Sequence, residues 1–256
     1  MKSLSASLSA EILKSKNSLA AWLSFLGSSG IIIAFFVILL LGTDTFLPDE
    51  HEHAWKNFYH AYYEGTAFML LPLFAIIIAA LVCYTEYKNG MWKLLLITTI
   101  SRTELYLSKL LFTYLLITCS HIYFVCLMLL SGFLLAWLRP ELGLSSSGLD
   151  ILYLLKLASK TIISVAAMLA LQFWVSIRFS SFVVALGIGV IGFILSALLV
   201  EGWPYAVYLP YSYPLLYLEE KYLLQPLSQV EFLSMSYCLL GTCLGLLDFR
   251  QMKIRT

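Results

Sequence analysis

The sequence has 256 residues, of which 61% are hydrophobic and 12% are charged. Soluble domains are about half apolar and a quarter charged, so this chain has too few polar side chains to cover a water-soluble globule. The composition therefore predicts an integral membrane protein. A net charge of +1, with no basic tract along the chain, gives no indication of a nucleic-acid partner.

Six apolar runs are long enough to cross the hydrocarbon of a bilayer, which takes about 20 residues of helix. The fold class predicted is therefore an all-α polytopic membrane protein in which residues 1–256 form one domain. The fourth and fifth runs are separated only by Ser176 to Ser180. They are interpreted as two spans, with one re-entrant element as the alternative. The predicted spans cover approximately residues 20–41, 67–84, 110–138, 160–177, 180–200 and 230–247.

Lysine and arginine near the ends of the spans predict the orientation, because these residues concentrate on the cytoplasmic side. With the N-terminus inside, eleven of the sixteen lie on the cytoplasmic side, and both termini are cytoplasmic. The other five lie outside, namely Lys56, Arg139, Lys156, Lys160 and Lys221.

Residues 1–19 precede the first span and are predicted to form an amphipathic helix on the inner membrane surface. Leu4, Leu8 and Ile12 recur at helical spacing, with Lys14 and Lys16 on the opposite side. An unstructured leader is the alternative.

The first outer loop, from Asp44 to Glu64, is acidic and contains the tract Asp49-Glu-His-Glu-His53. Carboxylate and imidazole groups can bind zinc or copper, so His51 and His53 are candidate metal ligands. The alternative is that this tract is a solvated loop without a ligand. A third interpretation is that the acidic loop attracts a cationic peptide by long-range electrostatics.

The interiors of the predicted spans lack the carboxylates that ion-driven transporters place within the membrane. His121 and Gln172 are their only strongly polar candidates. Gly143-Leu-Ser-Ser-Ser-Gly148 has the glycine spacing of a phosphate-binding loop, but Leu149 and Asp150 stand where that loop needs Lys and Ser or Thr. Any ATP-driven activity would therefore require a separate ATPase.

A charged, glycine-containing elbow at residues 85–109 connects the second and third predicted spans and faces the cytoplasm. Its order of residues resembles the coupling element of type-2 ABC exporter (ABC-2 type) permeases: a Glu, a Gly and an aromatic residue, followed by a Ser-Arg pair and a Lys entering the third span. Six residues carry this resemblance, and it implies that they couple the permease to its ATPase. They are Glu86, Gly90, Trp92, Lys93, Arg102 and Lys109.

The resemblance implies a permease subunit, not an enzyme, in a bacterial cytoplasmic membrane. Its partners would be an ABC ATPase dimer, a second permease copy or paralogue, and membrane lipids. ATP and Mg²⁺ would bind the ATPase, and this chain would hold no cofactor. Residues 201–229, rich in tyrosine and proline, would form a re-entrant outer loop. The compact size and the elbow look most like permeases of lantibiotic-protection exporters, which implies export of an antimicrobial peptide or lipid-like substrate.

Two other functions fit parts of the sequence. Gly27-Ser-Ser-Gly30 resembles a motif of rhomboid-type intramembrane serine proteases, and Ser29 and His121 would lie at similar depths, as a Ser-His pair requires. The same small residues also suit helix packing. A membrane scaffold without catalytic activity is the remaining alternative.

Overall fold

The computed structural model describes residues 2–16, 18–42, 53–66, 70–88, 90 and 100–252, and these contain helices and turns without a strand. Short 3₁₀ turns lie at Pro140–Leu142 and Pro204–Tyr208. The α-helices are α1 (Lys2–Ser15), α2 (Leu19–Leu40), α3 (Ala54–Gly65), α4 (Leu71–Lys88), α5 (Arg102–Leu138), α6 (Ile151–Arg178), α7 (Phe182–Val200), α8 (Tyr213–Leu216), α9 (Glu220–Leu223) and α10 (Gln229–Gln251).

Six of these helices, α2, α4, α5, α6, α7 and α10, are long and apolar enough to cross a membrane. The predicted all-α polytopic fold is therefore confirmed. The fourth and fifth predicted spans correspond to two separate helices, α6 and α7, joined by residues 179–181. Each has the length of a full crossing, so a single re-entrant element is not needed to explain this region.

Several spans extend beyond the apolar runs that predicted them. Helix α5 begins at Arg102, eight residues before the predicted span, because Ser101 and Glu104 form a reciprocal capping box at its first turn. Helix α6 begins nine residues early, where the Asp150 side chain accepts a hydrogen bond from the Tyr153 N–H. Hydrogen bonds at the first turn set these boundaries, so part of the predicted elbow is helical.

Helix α6 is the centre of the bundle, packing against α10 and α4, and 56% of its apolar segment is buried, compared with 17% for α2. Small residues allow α10 to approach it closely. Gly241 lies against Ala170 and Leu171, and the Ser234 hydroxyl donates to the Ile163 carbonyl at 2.6 Å. Close backbone approach with short hydrogen-bonding side chains is typical of helix packing inside membranes.

A buried ion pair joins α6 to α10, although these runs were predicted to contain no interior carboxylate. Lys160 is 3% exposed and contacts Glu231, which is 1% exposed. The other oxygen of Glu231 accepts the backbone N–H of Ser228, and Lys160 also donates to the Tyr222 carbonyl at 3.1 Å. The pair lies at the first turn of α10, where unsatisfied backbone N–H groups attract a carboxylate. The prediction that the span interiors contain no carboxylate was therefore wrong at the start of the sixth span.

The first outer loop contains a packed helix rather than an open acidic segment over residues 54–65. One face of α3 is buried in the bundle through its aromatic residues, which recur at intervals of three and four. The buried aromatic residues are Trp55, Phe58, Tyr59, Tyr62 and Tyr63.

The tyrosine-rich segment between α7 and α10 folds back along the bundle. Tyr211 packs beside Gly192, eight residues or about 12 Å before the end of α7. Its hydroxyl donates to Gln172 Oε1 at 2.9 Å, and the Gln172 amide donates to the Ala185 carbonyl at 2.9 Å. Gln172 is therefore a packing residue that joins α6, α7 and the connecting segment.

Gly189 makes this junction possible. A Cβ added there would overlap Gln172 Oε1 and lie 2.6 Å from Ile76 Cγ2, whereas a Cβ added at Gly187 would meet nothing within 4 Å. We expect Gly189→Ala to destabilise the protein by about 1–3 kcal/mol through overpacking. Gly187→Ala, with the same gain in helix propensity, is the matched control. Thermal unfolding in detergent measures both variants, and equal melting temperatures would contradict this packing.

Candidate functional site

Lys109 lies at the centre of a buried ionic cluster that joins three helices. Its ammonium group is 2.9 Å from both carboxylate oxygens of Glu11 in α1 and 2.7 Å from Glu86 Oε1 in α4. The three side chains are 1%, 7% and 5% exposed, respectively. The cluster therefore connects the end of α4 to the start of α5, with the N-terminal helix as a third component.

Lys14 completes the cluster and connects it to the surface. Its ammonium group lies 3.3 Å from Glu86 Oε1 and 3.6 Å from Glu11 Oε1, and its side chain is 40% exposed. Two carboxylates thus face two ammonium groups, so the four formal charges balance. Balance matters because burying an unpaired charge costs several kcal/mol.

Helix α1 packs against α5 through its polar face. Ser7, Glu11 and Lys14 are spaced by four and three residues, which places them on one side of the helix. The Ser7 hydroxyl lies 2.8 Å from that of Ser108. Ile12 and Leu13 are 42% and 69% exposed. The helix predicted over residues 1–19 is therefore present over residues 2–15, but Lys14 takes part in the packing instead of pointing away from it.

Arg102 makes a second connection at the same end of the bundle. Its guanidinium group donates to the carbonyls of Arg250 and Met252 at 2.7 and 3.1 Å, and the Arg250 guanidinium donates to Thr103 Oγ1 at 2.7 Å. An arginine at the C-terminal carbonyls of α10 also complements the helix dipole. The start of α5 is thus joined to the end of α10.

The six predicted coupling residues are only partly brought together. Glu86 and Lys109 are in direct contact, whereas Arg102 lies against α10. Gly90 has a φ of +61° just after α4, and its N–H donates to the Tyr87 carbonyl, an arrangement that glycine adopts without strain at a helix end. The remaining two, Trp92 and Lys93, lie outside the described residues.

Glu11 and Lys14 were missed by the sequence interpretation. Glu11 is the only acidic residue before Asp44, which singles it out beside an apolar span without indicating its partner. The capping box Ser101-Arg-Thr-Glu104 was a second available signal, since it places Lys109 two turns inside a helix.

The structure does not bring together the residues of the protease alternative. The Ser29 hydroxyl donates to the Phe25 carbonyl and lies 3.1 Å from the Tyr123 hydroxyl, while His121 Nε2 lies 3.3 Å from the Tyr63 hydroxyl. Neither contact activates a serine, which needs a base within hydrogen-bond reach.

The metal candidates are only partly described. His51 lies outside the described residues, and His53 immediately precedes α3. Within the described ranges, no group of three His, Cys, Asp or Glu side chains is placed to hold a metal ion.

Replacing Lys109 by methionine leaves Glu11 and Glu86 buried without their central cation. We expect Lys109→Met to destabilise the protein by about 3–5 kcal/mol, the usual cost of removing one partner from a buried ion pair. Lys88→Met, at an exposed position of α4, is the control and should change the melting temperature little.

The double variant Lys109→Met/Glu86→Gln removes one of the two stranded charges and should recover part of that loss. Thermal unfolding in detergent measures the two single variants Lys109→Met and Glu86→Gln, the double variant and the Lys88→Met control. Strictly additive effects of the two substitutions would contradict a coupled cluster.

None of the curated proteins matches the chain. A family model described as "ABC-2 family transporter protein" matches residues 7–196, about three quarters of the sequence. The matched region contains all three residues that meet at the centre of the ionic cluster, Glu11, Glu86 and Lys109, together with the elbow between α4 and α5. The chain, with its six candidate membrane-crossing helices, belongs to the ABC-2 transporter family.

Proposed function

We propose that this chain is the permease subunit of an ATP-driven exporter and moves a hydrophobic or amphipathic substrate out of the membrane. ATP hydrolysis takes place on a separate ATPase dimer that binds ATP and Mg²⁺. A second permease, identical or paralogous, completes the transporter. The ionic cluster of Glu11, Lys14, Glu86 and Lys109 is the observation on which this proposal mainly rests.

The cluster gives the elbow a mechanical role. It connects α4 and α5 immediately on either side of residues 89–101, so a force applied to the elbow acts on both helices together. The side chains of Glu86 and Lys109 are 5% and 1% exposed, which suits a role inside the permease rather than direct contact with an ATPase. In this proposal Trp92 and Lys93 meet the ATPase, with Trp92 as the aromatic anchor typical of binding hot spots.

Helix α5 carries that force along the whole bundle. It has 37 residues and is therefore about 55 Å long. At its far end, the Arg139 guanidinium donates to the carbonyls of Leu39 and Leu40 at the end of α2, at 3.1 and 3.3 Å. A displacement of the start of α5 would thus reach the opposite end of α2 through one continuous helix.

The proposed location is a bacterial cytoplasmic membrane with both termini inside. The distribution of Lys and Arg supports this orientation, which places the ionic cluster on the cytoplasmic side. The proposed cargo is an antimicrobial peptide or lipid-like molecule, as in lantibiotic-protection exporters. Support for this cargo comes from the apolar lining of the bundle and from the resemblance of the elbow.

Trp92→Ala should abolish substrate-stimulated ATP hydrolysis by the reconstituted transporter and weaken ATPase binding at least tenfold, because an aromatic anchor contributes about 2 kcal/mol or more. Trp137→Ala is the matched control, since Trp137 is 79% exposed at the opposite end of α5. Coupled hydrolysis that survives Trp92→Ala would remove the elbow from the coupling mechanism.

The proposed topology places Lys88 and Gly148 on opposite sides of the membrane. Both positions are exposed, and a Cβ at Gly148 meets nothing within 4 Å. In intact cells a membrane-impermeant maleimide should therefore label Gly148→Cys at once and Lys88→Cys only after permeabilisation. Labelling of both from outside would refute the assignment, and the unsubstituted chain reports the background from the five native cysteines.

A further inference from the structure

A cavity of about 260 Å³ lies within the bundle, between α2, α4, α5 and α6. Among the described residues that line it there is no Asp, Glu, Lys or Arg, and most are apolar. Residues that define its shape and chemistry are Gly27, Ser28, Phe74, His121, Phe124 and Thr161.

With α5 taken as a membrane-crossing helix, the cavity lies near the middle of the bilayer. His121 is 19 residues from the start of α5 and 17 from its end, which are about 28 and 26 Å along the helix. Gly27 and Leu70, both exposed, lie on the rim. A molecule dissolved in the bilayer therefore reaches the cavity without crossing water.

The polar side chains among the described lining residues are four hydroxyls and the imidazole of His121. Each hydroxyl donates its one proton to a carbonyl three or four residues earlier in the chain, so it can only accept a hydrogen bond from a ligand. The donors are Ser28, Thr66, Ser120 and Thr161, at 3.1, 2.9, 3.0 and 2.8 Å. His121 is different. It is 7% exposed, its Nε2 lies 3.3 Å from the Tyr63 hydroxyl, and its Nδ1 makes no hydrogen bond to any other described residue.

We propose that this cavity binds a neutral, single-chain lipid with one hydroxyl group, such as a long-chain alcohol, and that the hydroxyl pairs with His121 Nδ1. Either tautomer of the imidazole suits such a ligand. If the Tyr63 hydroxyl donates to Nε2, the Nδ1–H donates to the alcohol oxygen; in the other tautomer, the alcohol donates to Nδ1. A hydroxyl is both donor and acceptor, so it satisfies each case.

Size and charge select this ligand over others. A cavity of about 150 Å³ holds benzene, so 260 Å³ holds roughly ten non-hydrogen atoms. The cavity therefore holds the hydroxyl end of one lipid chain. The rest of that chain extends past the rim into the bilayer. A carboxylate or phosphate headgroup would find no lysine or arginine among the described lining residues, and burial of an uncompensated charge is too costly.

Transport is not required for this site, because the inference depends only on the cavity and its histidine. A peptide side chain inserted from the membrane is the competing occupant, and it is distinguished in the experiment below.

The test uses the full chain in lipid nanodiscs with a hexadecanol that carries a photoactivatable diazirine. Labelled residues are mapped by mass spectrometry, with unlabelled hexadecanol as competitor. We expect saturable labelling on α2, α4 and α5 around the cavity. Labelling that is non-saturable, or spread over the lipid-facing surface, would overturn the proposal. So would competition by an amphipathic peptide but not by hexadecanol.

Two glycines on α2 provide a matched pair of variants. Leucine at Gly27 would narrow the rim, where an added Cβ already lies 3.4 Å from Phe74; at Gly30 an added Cβ meets nothing within 4 Å. We expect Gly27→Leu to reduce saturable labelling at least tenfold and Gly30→Leu to leave it within twofold. Equal labelling of the two variants would refute the assignment of the cavity.

His121→Phe tests the hydrogen bond while keeping an aromatic ring in place. The wild-type protein should prefer hexadecanol to hexadecane, as competitors, by about two- to tenfold, the usual contribution of one hydrogen bond. In His121→Phe this preference should disappear while labelling by the alcohol persists at a lower level. An unchanged preference would show that His121 does not bind the hydroxyl.

Discussion

A single ammonium group, that of Lys109, holds together the part of this bundle on which the proposed mechanism depends. It lies between carboxylates from two other helices, at 2.9 and 2.7 Å, and is nearly excluded from solvent. Such a group is tolerated only while both partners stay in place, because the desolvation cost of the charge is several kcal/mol. Helices α1, α4 and α5 are therefore constrained to keep their relative positions at this end.

The other helices are held together by separate contacts, which connect to the ionic cluster through α5. Helix α6 forms the centre, with α10 held close to it by small residues and by the Lys160–Glu231 pair at the far end. Arg102 binds the last carbonyls of α10, so the ionic cluster and the central helix pair are linked through α5. At the two ends of α10 the charges also suit the helix dipole, with Glu231 in its first turn and the Arg102 guanidinium at its last carbonyls.

The number of crossing helices followed from hydropathy, because apolar runs of about 20 residues have few alternatives in a membrane protein. The contact between Glu86 and Lys109 is 23 residues apart in sequence, and the elbow pattern brought both into the candidate set. Glu11 is 98 residues from Lys109, and no local pattern specifies a contact at that distance. Which buried charges pair with each other depends on how the helices pack. The hydrophobic periodicity of the sequence does not specify that packing.

Helix α3 is a segment whose burial was not predicted from its composition. Its acidic flank and histidines suggested an exposed loop, yet the aromatic residues from Trp55 to Tyr63 recur at helical spacing and are buried. Composition described the polar face of the segment, whereas its packing is decided by the aromatic face. The position of the cavity beside His121 depends likewise on four helices meeting, and nothing in the local sequence around any one of them predicts it.

The most direct test of this account is a distance measured by pulsed electron paramagnetic resonance between spin labels at Leu13 and Lys88. Both positions are exposed, and they lie beside the cluster on α1 and α4. The transporter would be assembled with its ATPase and measured without nucleotide and with trapped ATP. We expect one narrow distance distribution that is unchanged by ATP, because α1 and the end of α4 move as one unit. A distribution that shifts or splits on ATP binding would contradict it.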